Sequence, residues 1–439
     1  MTGGIARIPQ RSSAGAAGTI RPGLERIRAA FELTGHPERS FRTIHIAGTN
    51  GKGSTAAFIE AVLRRLVTGP VALYTSPHLV SPEERIRVAG RKIPAEALSR
   101  TLRKASALSR AMGPESAPPA SWFEEMTWAA CDWFRKSKAA VVVMEAGLGG
   151  RWDATNACNP AVSVITTVGI DHSEWLGGTL REIAGEKAEI IRRGIPVVIG
   201  ALRRIPRGVV IRKAEEMESP VWELGRDFRW EEFGRDRIRV RLPGAEVPAA
   251  RLSMAGVFQR DNAAIACAAA WRWASASGVD PGDFAIAARE GMESAKWPGR
   301  FSPLPGRGNA GAWVDGAHNP DAARALAREL RARKAVNEAA RIIALWSMLR
   351  DKDIFGFLKE LRGTVDGWVV FPMEHERAAS LDELSGACRR IGCAFRAAEN
   401  FDDGWTEARK WARRGGLVIV CGSLVAVGEA YRSRVGEIP

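Results

Sequence analysis

The chain has 439 residues, of which 46% are hydrophobic and 26% charged. This length and composition predict about two or three globular domains with a sizeable core. No apolar run reaches the roughly 18 residues of a membrane span, and no signal peptide is evident. The six cysteines lack CxxC spacing, which predicts free thiols in a cytoplasmic protein. The net charge of +14 has three interpretations: a surface that binds nucleic acid, a surface that attracts small anions, or a solvated arginine-rich surface without a specific role. No nucleic-acid-binding motif favours the first.

The first informative element is a glycine-rich turn between a strand and a helix. After a polar and basic segment at residues 9–23, predicted to be a flexible arm, FRTIHIA (41–47) predicts a buried strand. GTNGKGS (48–54) follows, and STAAFIEAVLRRL (54–66) has helical spacing. This context predicts a phosphate-binding loop in which Lys52 faces phosphates and Ser54 binds Mg²⁺, against a purely structural turn as the alternative.

Further strands and helices alternate up to about residue 200. VALYTS (71–76), AAVVVMEAG (139–147), AVSVITTVG (161–169) and IPVVIG (195–200) are typical of buried parallel strands. Helical patterns cover 122–137 and 180–194, and the second ends at a glycine suited to a C-cap. The alternation predicts an α/β domain with a mostly parallel sheet.

The chain then changes character twice. Residues 220–250 alternate polar and apolar side chains, which predicts exposed antiparallel strands, and a helix-rich stretch follows at 258–293. SPLPGRGNAG (302–311) predicts a linker, and a second α/β series has candidate strands at 312–317, 341–348, 367–373 and 417–424. We therefore expect an N-terminal domain at 1–301 and a C-terminal domain at 302–439.

Several strings together resemble the folylpolyglutamate synthase/dihydrofolate synthase family of the Mur ligase superfamily. In chain order they are HIAGTNGKGST, TSPHL, EAGLGGRWDATN, VGIDHSEWLGGTLREIAGEKAEII, QRDNAA, WPGRF, VDGAHNP and CGSL. LGGRWDATN favours the folate branch over the peptidoglycan-building branches. The resemblance implies an N-terminal P-loop ATPase domain with a mostly parallel sheet, plus a smaller Rossmann-like C-terminal α/β domain.

The resemblance also implies an ATP site between the two domains. Arg300 would clamp phosphate, Asp315 would take the ribose hydroxyls, and His318 could touch phosphates or glutamate. The implied catalytic residues are Lys52, Lys187 and His318. The implied ATP-binding residues are Thr49, Asn50, Gly51, Lys52, Gly53, Ser54, Asn262, Arg300 and Asp315.

Two Mg²⁺ sites are implied in the same way. Ser54, Ser76 and Glu145 would hold the first, and Glu145 ends a buried strand where a carboxylate needs a partner. A hydrogen-bonded carboxylate is the alternative. His172 and a carbamylated Lys187 would hold the second, whereas the alternatives are a capping or core histidine and a surface lysine paired with a glutamate.

A pterin pocket is the remaining implied site. An aromatic ring can stack on a pterin, and a carboxylate can accept its N–H groups. Trp152 stands where a small aliphatic residue is more usual in the family, which leaves a core role open for it. The implied residues are Ser121, Phe123, Glu124, Arg151, Trp152 and Asp153.

The expected activity is that of an ATP-dependent ligase that adds L-glutamate to dihydropteroate or reduced folates through an acyl phosphate. ATP and two Mg²⁺ ions are the expected cofactors, and pteroate or folate and L-glutamate the substrates. We expect a cytoplasmic monomer without nucleic-acid or membrane partners. The alternatives are a UDP-muramyl peptide ligase, a non-ligating ATP-binding regulator, and an ATPase acting on nucleic acid.

Overall fold

The computed structural model describes residues 22–112, 119–234, 236–336 and 340–436. Residues 9–21 of the expected N-terminal arm lie outside these ranges. Within them, no helix is long and apolar enough to cross a membrane. The six cysteines are free thiols.

An eight-stranded sheet forms the centre of the N-terminal part. Its strand order is β4-β3-β2-β5-β1-β6-β7-β8, and all neighbours from β2 to β8 pair in parallel. Within this sheet only the pairs β2–β3 and β3–β4 are antiparallel. The strands are β1 (Arg42–Ala47), β2 (Val71–Tyr74), β3 (Ile86–Val88), β4 (Arg91–Lys92), β5 (Val141–Glu145), β6 (Pro160–Ile165), β7 (Val197–Ile199) and β8 (Val221–Glu223).

Helices cover both faces of this sheet, because side chains of its central strands alternate between two apolar cores. In β5, Val141 and Val143 join the core under α2, α8 and α9, whereas Val142 and Met144 join the core under α1, α3 and α4. The helices are α1 (Glu25–Leu33), α2 (Lys52–Leu66), α3 (Ala95–Met112), α4 (Trp122–Lys136), α5 (Ser173–Leu176), α6 (Leu180–Ala188), α7 (Arg204–Glu216), α8 (Phe258–Ser275) and α9 (Pro281–Ser294).

A small antiparallel sheet lies beside this core, as predicted from the alternating pattern at 220–250, although the start of that range, Val221–Glu223, is the parallel strand β8 of the large sheet. It consists of β9 (Arg229–Phe233), β10 (Arg237–Leu242) and β11 (Ala245–Arg251), in the order β11-β10-β9. Ile238, Val240 and Leu242 alternate onto one face and are buried in the core that includes α8. The opposite face carries polar side chains, so only half of the sheet is exposed.

The C-terminal part contains a six-stranded sheet in the order β12-β13-β17-β14-β15-β16. All pairs except β12–β13 are parallel. Its strands are β12 (Ser302–Pro303), β13 (Ala312–Val314), β14 (Ile342–Trp346), β15 (Gly367–Val370), β16 (Phe395–Ala397) and β17 (Leu417–Cys421). Its helices are α10 (Pro320–Val336), α11 (Ile354–Leu361), α12 (Leu381–Ile391), α13 (Phe401–Ala412) and α14 (Leu424–Arg434).

The fold class expected from the sequence is therefore confirmed, with two corrections to local elements. Helix α6 ends at Ala188 rather than at Gly194, because Ile190 and Ile191 turn into the core, where Ser163 Oγ donates to the carbonyl of Ile190. The expected linker at 302–311 begins with strand β12, which pairs with β13. The division at residue 301 stays a prediction.

Candidate active site

The glycine-rich loop lies at the carboxyl end of β1, at the point where α2 begins. Gly48 and Gly51 have positive φ angles of 154° and 88°. A Cβ at Gly48 would lie 2.0 Å from Thr166 Oγ1, so the fold has room only for glycine there. The backbone amides at the N-terminus of the 15-residue helix α2 are thereby presented to an anion.

Two lysines make this loop cationic: Lys187 is buried and Lys52 is partly buried. Lys52 Nζ donates to the carbonyls of Gly48 and Thr49 at 3.0 and 3.3 Å, and Lys187 Nζ donates to the carbonyl of Gly48 at 3.2 Å. Burial lowers the pKa of both amines, and for Lys187 burial together with the Lys52 charge lowers the pKa to about 7. An anion such as a phosphate would relieve the repulsion between the two ammonium groups.

Three oxygen-bearing side chains predicted to hold the first metal lie at neighbouring ends of elements. Glu145 ends β5, Ser76 follows β2, and Ser54 is in the first turn of α2. The backbone N–H of Ser76 donates to Glu145 Oε2 at 3.1 Å, and burial raises the pKa of this carboxyl group. Ser76 Oγ is buried without a hydrogen-bond partner.

These features fit a hard divalent cation, since the Ser76 hydroxyl oxygen has no hydrogen-bond partner and the buried Glu145 carboxylate accepts a single backbone hydrogen bond. The charges of Lys52, Arg300 and Arg85 also favour the ionised form of Glu145, so a carboxylate held without a metal stays the alternative. Across the described ranges, no group of three or more His, Cys, Asp and Glu side chains could hold a metal. Serine oxygens are therefore part of this candidate site.

The residues predicted for the second metal line the same cleft. His172 occupies the N-cap position of α5, but its side chain makes no capping hydrogen bond, and 35% of that side chain is exposed. Burial lowers the pKa of His172 to about 3, so the ring is neutral and offers a lone pair at neutral pH. Lys187 is only 3% exposed, so the surface-lysine interpretation is wrong.

The C-terminal part supplies the opposite wall of this cleft. Asp315 accepts hydrogen bonds from the backbone N–H groups of Phe301 and Ala317 at 2.8 and 2.7 Å. His318 Nδ1 lies 2.8 Å from the carbonyl oxygen of Gly316. The cleft has a volume of about 410 Å³. It is lined by all the predicted ATP and metal residues: Thr49, Asn50, Gly51, Lys52, Gly53, Ser54, Ser76, Glu145, His172, Lys187, Asn262, Arg300, Asp315 and His318.

Three further residues of this region were not predicted from the sequence. Asn319 and Asn50 exchange side-chain hydrogen bonds of 3.1 and 3.3 Å between the two walls. Asp171 accepts from Asn319 at 3.0 Å and from Lys352 at 2.6 Å. Asp171 and Asn319 stand beside His172 and His318 in the motif strings, so adjacency could have indicated them. Lys352 carries no such signal.

The predicted pterin residues lie in three pairs with different surroundings. Phe123 and Asp153 approach the same glycine: a Cβ at Gly147 would lie 2.7 Å from Phe123 Cζ and 3.2 Å from Asp153 Oδ2. Ser121 and Glu124 form the capping box of α4, in which Glu124 Oε2 accepts from the backbone N–H of Ser121 at 2.7 Å. The Glu124 carboxylate also pairs with Arg26, so both of its oxygens are already engaged.

Arg151 and Trp152 line a different cavity of about 540 Å³ beside α1. Arg151 pairs with Glu186 and Glu189 at 2.9 and 3.3 Å. Trp152 is 49% exposed, so a core role for it is wrong. The cleft and this second cavity share none of their lining residues.

Known proteins are similar to this chain over most of its length. Residues 127–270 match the Mur ligase middle domain, and residues 299–424 match the Mur ligase glutamate ligase domain. The chain is 32% identical to a dihydrofolate synthase/folylpolyglutamate synthase of Bacillus subtilis, over 93% of this chain and 94% of that protein.

Two solved structures extend the comparison to ligands. One is a Mycobacterium tuberculosis folylpolyglutamate synthase complexed with ADP and AMPPCP, with a TM-score of 0.86 and 32% identity over 95% of this chain and 96% of that one. The other is a Yersinia pestis bifunctional folylpolyglutamate synthase/dihydrofolate synthase with AMPPNP and a Mn ion. Its TM-score is 0.81, with 28% identity over 95% of this chain and 94% of that one.

Proposed function

Because this chain belongs to the dihydrofolate synthase/folylpolyglutamate synthase family of Mur ligases, we propose that its cleft phosphorylates a pteroate or folate carboxylate and joins it to L-glutamate. The protein is an ATP-dependent ligase that uses a divalent metal. The observation that best supports this role is the set of residues that line the cleft. One cavity contains the cationic loop, the partnerless Ser76 oxygen and side chains from both parts of the chain.

The first step is transfer of the γ-phosphoryl group of ATP to the carboxylate. The amides of the loop and the Lys52 ammonium hold the phosphate oxygens, and Arg300 adds a cation from the other wall. Ser54, Ser76 and Glu145 would hold the first metal, and His172 and Lys187 the second. A divalent metal bound there neutralises charge on the phosphoryl oxygens.

The second step is attack by the glutamate amine on the acyl carbon, which expels phosphate and forms the amide. His318 lies on the wall opposite the loop, where it can contact phosphate or glutamate. The Asn50–Asn319 contact holds the two walls together over the reacting groups. Exclusion of water at this stage protects the acyl phosphate from hydrolysis.

Lys187 is expected to carry a carbamate formed from its neutral amine and CO₂. With a pKa of about 7 instead of 10.5, a large fraction of this amine is neutral at pH 7 to 8, and the carbamate removes the repulsion with Lys52. Carbon NMR of the enzyme in labelled bicarbonate should give one carbamate signal that Lys187→Met lacks. A high-resolution map with a bare amine at this position would contradict the assignment.

Asp153→Ala should raise the Michaelis constant for the pteroate substrate more than that for ATP. The Asp153 carboxylate holds the loop beside Phe123 by accepting from the backbone N–H groups of Leu148 and Thr155 at 2.8 and 3.0 Å. Steady-state kinetics with each substrate varied in turn measures both constants. Asn159→Ala, at an exposed residue of the same segment, is the matched control. An unchanged pteroate constant in Asp153→Ala would argue against this pocket.

The activity itself is tested by measuring ADP release with ATP and glutamate present. Dihydropteroate and tetrahydrofolate are added in turn, with a UDP-muramyl peptide and DNA as controls. Stimulation by dihydropteroate, by tetrahydrofolate or by both, with none from the controls, supports the proposal. The compound that stimulates shows which acceptor the enzyme uses. Stimulation by the muramyl peptide or by DNA, or none at all, would support the corresponding alternative instead.

We also propose that the enzyme is a cytoplasmic monomer, as expected from the sequence. The cleft draws its lining from one chain, so no second copy is required to complete it. Light scattering of the purified protein measures the oligomeric state directly.

A further inference from the structure

A cluster of charged and polar side chains joins the two walls of the cleft around Asp171. Asp171 Oδ1 accepts from Lys352 Nζ at 2.6 Å, and Asp171 Oδ2 accepts from Asn319 Nδ2 at 3.0 Å and lies 3.3 Å from His318 Nε2. Asp171 belongs to the turn before α5, whereas the other three residues belong to the C-terminal part. The carboxylate therefore holds three C-terminal side chains at once.

Lys352 is the cation of this cluster, and it is almost completely buried. It lies in the loop between β14 and α11, and only 6% of its side chain is exposed. Its ammonium lies 3.2 Å from His172 Nε2 as well as 2.6 Å from Asp171. A lysine ammonium has donors only, so this contact uses the lone pair of the imidazole nitrogen.

A metal bound to an imidazole also uses a nitrogen lone pair, and Nε2 is the His172 nitrogen beside which the structure places a cation. A cation already lies at this position, so the surroundings of His172 accept positive charge there. An ammonium and a divalent cation cannot share one lone pair.

We propose that Lys352 is a positioning residue. In the metal-free protein its ammonium occupies the position of a divalent cation at His172 Nε2, and it leaves that nitrogen when the cation binds. This inference rests on the proposed metal role of His172. On displacement, Lys352 keeps its ion pair with Asp171, so the contact between the two walls persists while the metal loads.

The test measures Mn²⁺ binding to the nucleotide-free full-length protein by electron paramagnetic resonance. Lys352→Gln removes the competing charge but keeps a donor for Asp171, so the fold is expected to persist, and thermal unfolding checks it. The Mn²⁺ site that depends on His172 should bind about tenfold or more tightly in this variant. Lys352→Arg retains the charge and should bind Mn²⁺ as the wild type does, and Lys359→Gln, at an exposed lysine of α11, is the matched control.

The same comparison in a His172→Ala background separates the possible failures. There, Lys352→Gln should no longer change Mn²⁺ affinity, and an equal gain in both backgrounds would overturn the inference. A second Mn²⁺ with unchanged affinity in Lys352→Gln would also overturn it, while leaving the role of His172 intact. Absence of a second Mn²⁺ from every protein would overturn both the metal role of His172 and the inference built on it.

Discussion

Lys52→Ala is expected to lower kcat/KM for ligation about 10³-fold, the scale seen when one strong donor to a developing anion is lost. In the free enzyme the ammonium donates to the carbonyls of Gly48 and Thr49. When ATP binds, we expect it to turn to the β- and γ-phosphates, where its charge acts most strongly in the transition state. Its loss should therefore reduce kcat more than substrate affinity.

The same substitution should leave the fold intact. Burial disfavours the charged form of Lys52 and so does Arg300, whereas the carboxylates of Glu145, Asp171 and Asp153 favour it. Because these effects oppose one another, loss of the amine should leave the unfolding temperature close to that of the wild type. Lys104→Ala, at an exposed lysine of α3, is the matched control. Near-normal turnover by Lys52→Ala would exclude the phosphate-loop assignment.

Glu145→Gln is expected to lower ligation about 100-fold or more by removing the charge of the first metal site. The amide oxygen can still accept from the Ser76 N–H, so the strand ends keep their geometry. The divalent cation loses an anionic ligand, and we expect a weaker Mn²⁺ site together with a higher metal requirement for turnover.

Metal titration of activity, alongside Mn²⁺ binding, checks this expectation. Excess metal should restore part of the activity of Glu145→Gln, because the Ser54 and Ser76 oxygens remain. Glu96→Gln, at an exposed glutamate of α3, should behave as the wild type does. If Glu145→Gln has the metal dependence of the wild type, the carboxylate is not a metal ligand.

The fold class and the roles of Lys52 and Ser54 were predicted from local patterns, whereas most other residues of the cleft were implied by the family resemblance. A buried strand followed by GTNGKGS and a helix fixes the geometry of the loop, and parallel strands bring Ser76 and Glu145 to the same edge. The early end of α6 was missed because Ile190 and Ile191 continue the helical spacing of apolar residues that includes Ile183.

Contacts between the two parts of the chain were not predictable in this way. Lys352 stands in a polar run, where a lysine is usually a solvated surface residue, and its burial depends on how the two sheets face each other. The directions of Arg151 and Trp152 depend likewise on tertiary packing. These side chains line the cavity beside α1, whereas Asp153, the next residue, holds the loop at Phe123.

The central claim is that ATP activates a carboxylate, and isotope transfer tests it most directly. Dihydropteroate with a heavy-oxygen-labelled carboxylate is incubated with the enzyme, ATP and L-glutamate, and the released phosphate is analysed by mass spectrometry. An acyl phosphate retains one carboxylate oxygen on phosphorus when the amine attacks, so one labelled oxygen should appear in each phosphate. Phosphate that carries no label while the glutamylated product accumulates would contradict the account.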